Sequence, residues 1–151
     1  FALPGGTIVM TDGIVELADK EKLGDEALAG VLAHEMGHVL HRHATRLLVE
    51  QGVLNVGLGL ALGDVSWLVS MGGSVLTGLS YRRGHESEAD CFAVALMART
   101  GGRTQPMADL LMKMDKGAKE GEAAGWSELL SSHPATPQRA MALKRGEVAC
   151  R

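Results

Sequence analysis

The chain has 151 residues, which is enough for one domain that buries its own core. Hydrophobic residues make up 46% of it and charged residues 22%, a balance that excludes an intrinsically disordered chain. The net charge is −3 and no basic block occurs, which gives no electrostatic reason to expect nucleic-acid binding. No signal peptide is visible and the first residue is Phe1, so we expect residues 1–151 to be a single domain excised from a longer protein.

The first third of the chain predicts a small sheet followed by a long helix. Pro4-Gly5-Gly6 is typical of a turn, and residues 7–11 after it have the β-branched character of a short strand. Asp25 is a typical N-cap residue. Apolar residues at helical spacing after it predict one helix from about 26 to about 51.

Residues 52–80 are nearly uncharged, and Asp64 is their only ionisable residue. A helix that spans a bilayer needs about 20 mostly apolar residues. Asp64 and the Gly72-Gly73 pair divide this stretch into shorter pieces, so we interpret it as a helical hairpin that is buried or lies on a membrane surface. A transmembrane span is the less favoured alternative.

Three further helices are predicted in the C-terminal half. One runs from about 83 to 99 and stops at Gly101, which is a C-cap signal. A short helix covers about 106–114, and a last one covers about 137–145 after the N-cap residue Thr136. The predicted fold class is α+β, mainly helical, with a small N-terminal sheet.

The central motif is His34-Glu35-Met36-Gly37-His38, which matches H-E-x-x-H and lies inside the longest predicted helix. Residues four apart on a helix share one face, so the imidazoles of His34 and His38 can reach one metal ion. Zinc accepts imidazole nitrogen at about 2.0–2.1 Å. Glu35 is adjacent to the first ligand, where its carboxylate can act as general base on the attacking water.

A catalytic zinc needs a third protein ligand and an open position. One extension of the motif places a third histidine six residues after His38, but position 44 is Ala44. His41 and His43 are weak ligand candidates, for which a surface or outer hydrogen-bonding role is favoured. We therefore expect the third ligand to come from another part of the chain.

The best source of that ligand is an acidic segment 48 residues after the second histidine, in the predicted helix 83–99. Glu86 and Asp90 are four residues apart and share a helical face. Glu86 can bind the metal while Asp90 accepts a hydrogen bond from a ligand imidazole and fixes its tautomer. Glu88 and His85 point away from that face, so we interpret Glu88 as a solvated or salt-bridged carboxylate.

Four segments together resemble the zinc peptidases of HtpX and the CAAX prenyl-protein endopeptidases, a gluzincin family with soluble bacterial-envelope members and mitochondrial Oma-type proteases. The segments are residues 2–8, 34–39, 81–90, and 132–137 with Arg139. They occur in the family's order and cover nearly the whole chain. The resemblance implies a zincin-like fold, one zinc per chain, Glu86 as the third ligand and Asp90 as its structural partner.

The resemblance also implies two further functional sites. It places His133 near the active site, where its imidazole can hydrogen-bond the oxyanion of the tetrahedral intermediate or occupy the open zinc position in a resting state. A structural His-Pro turn is the alternative. Ala2 and Leu3 are similar to the family's substrate-edge strand, which would hold an extended peptide by main-chain hydrogen bonds, although an ordinary hairpin strand is equally favoured.

The sequence therefore predicts a zinc-dependent endopeptidase that hydrolyses protein substrates, with a role in envelope protein quality control implied by the resemblance. The alternative is a zinc-containing but latent chaperone-like or scaffold module that binds unfolded proteins. The expected location is the bacterial cell envelope, periplasmic or membrane-associated through residues 52–80. One pair of cysteines is not a disulfide framework, and a buried free thiol is the favoured state of Cys91.

Overall fold

The structure is a computed structural model that describes residues 1–62, 83–121, 130, 132–148 and 150. Their regular secondary structure is helical, which confirms the mainly helical part of the prediction. The helices are α1 (Asp12–Lys20), α2 (Gly24–Leu40), α3 (His43–Leu62), α4 (Arg83–Arg99), α5 (Gln105–Lys119) and α6 (Pro137–Arg145).

The N-terminal residues fold back on themselves but pair only briefly. Ala2 and Ile8 form an isolated antiparallel bridge, and the Leu3 N–H donates to the Thr7 carbonyl at 2.8 Å. Within the described ranges no longer strand is present, so the predicted small sheet stays a prediction. The turn predicted at Pro4-Gly5-Gly6 is confirmed, with φ of +91° and +92° at its two glycines.

Helix α1 follows this hairpin, in a region between residues 11 and 26 where the sequence analysis predicted no helix. Ile14, Leu17 and Ala18 lie on one face of α1 and are buried. This spacing of three and four residues is helical, but nine residues give a short pattern that is easily missed.

The predicted helix 26–51 is in fact two helices. Arg42 has φ of +54°, a left-handed conformation that interrupts the helical ladder, so α2 ends at Leu40 and α3 begins at His43. The prediction of Asp25 as N-cap is also wrong, because α2 begins at Gly24 after Leu23. Asp25 lies instead in the first turn, where its negative charge favours the helix N-terminus.

The helices after residue 82 agree more closely with prediction. Helix α4 has the predicted bounds, and Gly101 follows it with φ of +77°. The predicted helix 106–114 extends to Lys119. Thr136 caps α6 as predicted, because its Oγ1 accepts a hydrogen bond from the Arg139 N–H.

The apolar segment 52–80 is described only in part. Residues 52–62 form the C-terminal half of α3, and the rest of the predicted hairpin lies outside the described residues. Among the described helices, none combines the length and hydropathy needed to cross a membrane.

Helix α2 occupies the centre of the domain and packs against α4, α5, α1 and α3. The main core consists of buried side chains from four helices: Ile14, Leu17 and Ala18 of α1, Ala27 and Val31 of α2, Met107, Ala108, Leu110, Leu111 and Met114 of α5, and Leu143 of α6. Apolar burial of this kind contributes about 25 cal/mol per Å² of surface removed from water. This core packs against one face of α2, and α4 packs against another face.

Helices α2 and α4 approach each other closely at Gly37. A Cβ atom at this position would lie 2.9 Å from the Cα atom of Ala89 and 3.2 Å from the Cβ atom of Phe92. Only glycine leaves room for this approach. Because Gly37 lies between the two motif histidines, it sets the distance between the helix that carries them and the helix that carries Glu86.

A disulfide joins Cys91 of α4 to Cys150, which lies 59 positions later in the sequence, and the two Cα atoms are 5.4 Å apart. The interpretation of Cys91 as a buried free thiol is therefore wrong. Sequence spacing did not indicate the pair, because the distance between these cysteines depends on where the chain after α6 docks.

Candidate metal centre

Four buried side chains converge on one point between α2 and α4. His34 and His38 come from successive turns of α2, Glu86 from the first turn of α4, and His133 from the segment before α6. One ligand atom from each lies within 4.8 Å of those of the other three. The structure thus brings together the three predicted metal ligands and His133.

The distances among these atoms fit a tetrahedral zinc ion. The Nε2 atoms of His34 and His38 are 3.0 Å apart. Oxygen atoms of Glu86 lie 3.2 Å from Nε2 of His38 and 3.6 Å from Nε2 of His34. Ligand atoms bound at 2.0–2.1 Å to a tetrahedral ion are separated by about 3.3 Å, so the donor set and its spacing fit zinc.

His133 lies within the same set of donors. Its Nδ1 atom is 2.9 Å from Oε1 of Glu86 and 3.3 Å from Nε2 of His34. Its Nε2 atom is 3.4 Å from Oε1 of Glu35. His133 therefore bridges the metal group and the carboxylate that the motif places beside it.

Glu35 is buried at 1% exposure, and neither of its carboxylate oxygens accepts a hydrogen bond from the described part of the chain. Buried carboxylates nearly always accept hydrogen bonds, because leaving them without costs the full desolvation of the group. A carboxylate in this state beside a metal group is placed to accept a proton or a hydrogen bond from a water or a substrate.

Asp90 and Arg139 contact two of the predicted ligands, His34 and Glu86. Oδ1 of Asp90 lies 2.8 Å from Nδ1 of His34, the ring nitrogen that faces away from the metal group. Arg139 donates from Nη2 to the same Asp90 oxygen at 2.8 Å, and its Nη1 is 2.6 Å from Oε2 of Glu86. Although burial alone would raise the pKa of Asp90, hydrogen bonds from Arg139 and His34 hold it below its usual value.

The electrostatics of the site favour the protonation states that a metal requires. Burial, together with the positive potential of neighbouring imidazoles, lowers the pKa of His38 to about 3 despite the opposing effect of Glu86. Burial would raise the pKa of Glu86, but His133, with His38 and His34, holds it well below its usual value. A neutral imidazole and an ionised carboxylate are the forms that bind zinc.

The other histidines lie outside the metal group. His41 is 41% exposed, and donor atoms of His41, His43 and Glu88, one from each, lie within 4.8 Å of one another in a second cluster. His85 stacks on His43 with ring centroids 4.3 Å apart. Glu88 is salt-bridged, as its position on α4 predicted, to His43 at 2.9 Å and to Arg46 at 3.9 Å.

Sequence reasoning missed two contacts. His43 is fully buried, and its Nδ1 is 2.9 Å from Nδ1 of His38. On a continuous helix a residue five positions after His38 points away from it, so only the break at Arg42 makes the contact. Burial lowers the pKa of His43 against the opposing effect of Glu88. The position of Arg139 within the motif segment after Pro137 indicated that this residue matters. The sequence did not indicate which residues it contacts.

The predicted substrate-edge residues lie beside this group. Ala2 and Leu3 line a cavity of about 330 Å³ that His38 and Val39 also line. Ala2 is 2% exposed, so its side chain belongs to the cavity wall. The edge of the hairpin is thus close to one ligand.

The site combines two histidines from one helix with a glutamate from a second helix, and a carboxylate that accepts no hydrogen bond from the described residues lies beside them. This arrangement defines the class as a metal-dependent peptidase of the H-E-x-x-H type. The model of peptidase family M48 matches residues 1–147. The chain belongs to this family, whose members are zinc metallopeptidases.

Among curated relatives, the beta-barrel assembly-enhancing protease of Yersinia pestis is 28% identical over 92% of this chain. The mitochondrial metalloendopeptidase OMA1 of Saccharomyces cerevisiae is 30% identical over 92% of it. The metalloprotease YcaL of Escherichia coli is 24% identical over 95%. The chain spans 30%, 40% and 56% of these proteins, respectively. No solved structure matches the chain significantly.

Proposed function

We propose that residues 1–151 are a single catalytic domain, a zinc-dependent endopeptidase that hydrolyses protein substrates in cell-envelope quality control. The observation that carries the proposal is the buried metal group of His34, His38 and Glu86 with the Glu35 carboxylate beside it. The names of the relatives, a beta-barrel assembly-enhancing protease and a mitochondrial metalloendopeptidase, support proteolysis as the activity.

His34, His38 and Glu86 are the proposed zinc ligands. A zinc ion held by these three side chains would supply Lewis acidity toward a scissile carbonyl and an attacking water. Asp90 fixes the tautomer of His34 through their 2.8 Å contact, and Arg139 holds Asp90 in place. The short contact between Arg139 and Glu86 orients the third ligand in the same way.

Glu35 is the proposed general base. Its carboxylate takes a proton from the attacking water and then delivers it to the leaving amine. Neither oxygen of the buried Glu35 carboxylate accepts a hydrogen bond within the described residues, although Oε1 lies 3.4 Å from Nε2 of His133. This supports the role, because no such bond has to break before the proton is accepted.

His133 is proposed to have two positions. In the resting state it lies among the ligands, with Nδ1 2.9 Å from Glu86, and shields the fourth position of the metal group. When a substrate enters, the imidazole turns to donate a hydrogen bond to the developing oxyanion of the substrate. The same side chain would then keep the resting enzyme inactive and take part in catalysis.

Extended substrate is proposed to pair with the N-terminal hairpin at Ala2 and Leu3, the edge of the predicted sheet. Main-chain groups of Phe1 and Leu3 bond to Val9 and Thr7. A peptide that lies along this edge would pass the cavity that Ala2, Leu3 and His38 line.

The proposed compartment is an oxidising part of the bacterial cell envelope, periplasmic or associated with the membrane surface through residues 52–80. The disulfide between Cys91 and Cys150 supports an oxidising environment, since structural disulfides are rare in a reducing cytosol. The beta-barrel assembly-enhancing protease of the bacterium Yersinia pestis supports this location, whereas the relative OMA1 is named as mitochondrial.

The test compares wild type with Glu35→Gln for zinc content and for cleavage of casein with and without chelator. We expect one zinc per chain in both proteins and chelator-sensitive cleavage by wild type. The variant should lose about 10²- to 10⁴-fold in turnover, because general base catalysis contributes that much. Glu16→Gln, an exposed glutamate on α1, is the matched control.

Three results would contradict parts of the proposal. Absence of zinc after reconstitution would remove the metal site. Zinc with no cleavage by wild type would support the chaperone-like module instead. Full cleavage by Glu35→Gln would remove Glu35 from the mechanism.

A further inference from the structure

A second line of contacts lies behind His38, on the side of its ring that faces away from the metal group. Nδ1 of His43 is 2.9 Å from Nδ1 of His38, and Nε2 of His43 is 2.9 Å from Oε2 of Glu88. His38 faces Glu86 and His34 with its other nitrogen, Nε2. Glu88, His43 and His38 thus form a continuous chain of hydrogen bonds that ends at the metal group, and we call this chain the relay.

The chemistry of the three groups fixes where the protons lie. The ionised Glu88 carboxylate can only accept hydrogen bonds. Nε2 of His43 therefore carries a hydrogen and donates the hydrogen bond to Glu88. A neutral imidazole has a single N–H, so Nδ1 of His43 is an acceptor. The facing Nδ1 of His38 must then be the donor, which leaves the Nε2 lone pair of His38 directed into the metal group.

We propose that His43 and Glu88 are positioning residues that hold His38 in the tautomer required of a zinc ligand. The inference rests on the proposed zinc site and assigns two residues that the mechanism above does not use. Hydrogen bonds behind a metal ligand typically change metal affinity by 10- to 100-fold.

The fold holds His43 in one place. Its side chain is fully buried, and its ring stacks on those of His85 and His41 with interplanar angles of 15° and 11°. The left-handed residue Arg42 starts a new helix at His43 and thereby turns its ring toward His38. A ring packed in this way keeps its orientation without help from the metal.

The two motif histidines are then supported in parallel but different ways. Asp90 contacts Nδ1 of His34 directly at 2.8 Å. Glu88, also on α4, acts on Nδ1 of His38 through one intervening imidazole. Helix α4 therefore supplies the third ligand and the carboxylate behind each of the other two.

The experiment measures zinc affinity by chelator competition for wild type, Glu88→Ala, His43→Ala and the double variant. We expect each single variant to bind zinc about 10- to 100-fold more weakly. The double variant should be no weaker than His43→Ala alone, because both substitutions break the same relay. Glu88→Gln, whose amide oxygen can still accept from His43, should recover part of the loss.

A second measurement does not depend on bound metal or on folding of the His43 variants. Nitrogen-15 spectra of the histidine rings in metal-free protein report which nitrogen is protonated. We expect His38 to be protonated at Nδ1 in wild type, with the Nε2–H tautomer rising in Glu88→Ala. Glu88 is 38% exposed, so this variant should fold.

Glu16→Ala, at an exposed glutamate on α1, is the matched control for Glu88→Ala, and its zinc affinity should equal that of wild type. If wild type bound two zinc ions and His41→Ala lost one, then His41, His43 and Glu88 would be a separate cation site and the relay would be overturned.

Unchanged affinity in Glu88→Ala with an unchanged His38 tautomer would also overturn the relay while leaving the proposed function intact. Affinity losses that add in the double variant would reduce His43 and Glu88 to independent structural residues. A wild type without zinc would overturn both proposals.

Discussion

His133 is the residue at which resting and active states would differ. Its Nδ1 lies among the metal ligands, 2.9 Å from Glu86 and 3.3 Å from His34. Its Nε2 lies 3.4 Å from Glu35. One imidazole therefore contacts both the binding and the catalytic parts of the site.

Replacing this imidazole should affect turnover and metal affinity together. In His133→Ala we expect kcat to fall about 10²- to 10³-fold, which is the usual cost of losing one oxyanion donor. Zinc affinity should fall as well, because a fourth donor is lost. Peptide-cleavage kinetics and chelator competition measure the two effects, with the exposed-site variant Glu16→Gln as control. Unchanged turnover would leave His133 as part of a structural His-Pro turn.

At this scale the sequence predicted which side chains lie together better than it predicted their surroundings. His34 and His38, and Glu86 and Asp90, are pairs with four-residue spacing on a helix, and such a spacing is local. The contacts of His43 and Arg139 depend on a left-handed turn and on the docking of α6. No periodicity in the sequence encodes either of these.

The contact between α2 and α4 shows how a pair of helices sets the site. Gly37 allows the approach, and a Cβ atom there would meet the backbone of Ala89 at 2.9 Å. Backbone atoms cannot move aside as a side chain would. Any substitution at Gly37 must therefore displace Glu86 and Asp90 relative to the two histidines.

For Gly37→Ala we expect destabilisation of about 1–3 kcal/mol, the usual cost of overpacking a core contact. Zinc affinity should fall with it. Urea unfolding of the metal-free protein and chelator competition measure the two effects.

Gly52→Ala in α3 is the control, because a Cβ there meets nothing within 4 Å in the described part of the chain. Alanine is favoured over glycine in a helix by about 1 kcal/mol, so this variant should gain stability. Equal stability of Gly37→Ala and wild type would contradict the close approach.

Helix boundaries were predicted where local chemistry marks them. Gly101 after α4 and Thr136 before α6 are such marks, and both helices have the predicted bounds. The break between α2 and α3 has no glycine or proline, and Arg42 adopts its positive φ without a sequence signal. Helix α1 was missed because a hairpin and a glycine precede its short apolar pattern.

In the molecule as a whole, the disulfide ties the chain after α6 to the helix that carries Glu86. It joins Cys91 to Cys150 across 59 residues. A cross-link of this span removes conformational entropy from the unfolded chain. The loop-entropy relation gives about 4 kcal/mol of stabilisation.

Reduction should therefore lower the free energy of unfolding of wild type by about 2–4 kcal/mol. The double variant Cys91→Ser/Cys150→Ser should unfold like reduced wild type and should not respond to reductant. Urea unfolding with and without dithiothreitol measures both effects. A wild type that unfolds identically in the two conditions would show that the disulfide contributes nothing to stability.

The turn at His41-Arg42 has a consequence for how the length of this chain can vary. Surface turns normally accept an added or a missing residue with little effect. Here one residue more or fewer between His38 and His43 would rotate the second imidazole about 100° around the helix axis and separate it from the first. The number of residues in this turn would then be strictly constrained, the reverse of what its position on the surface suggests.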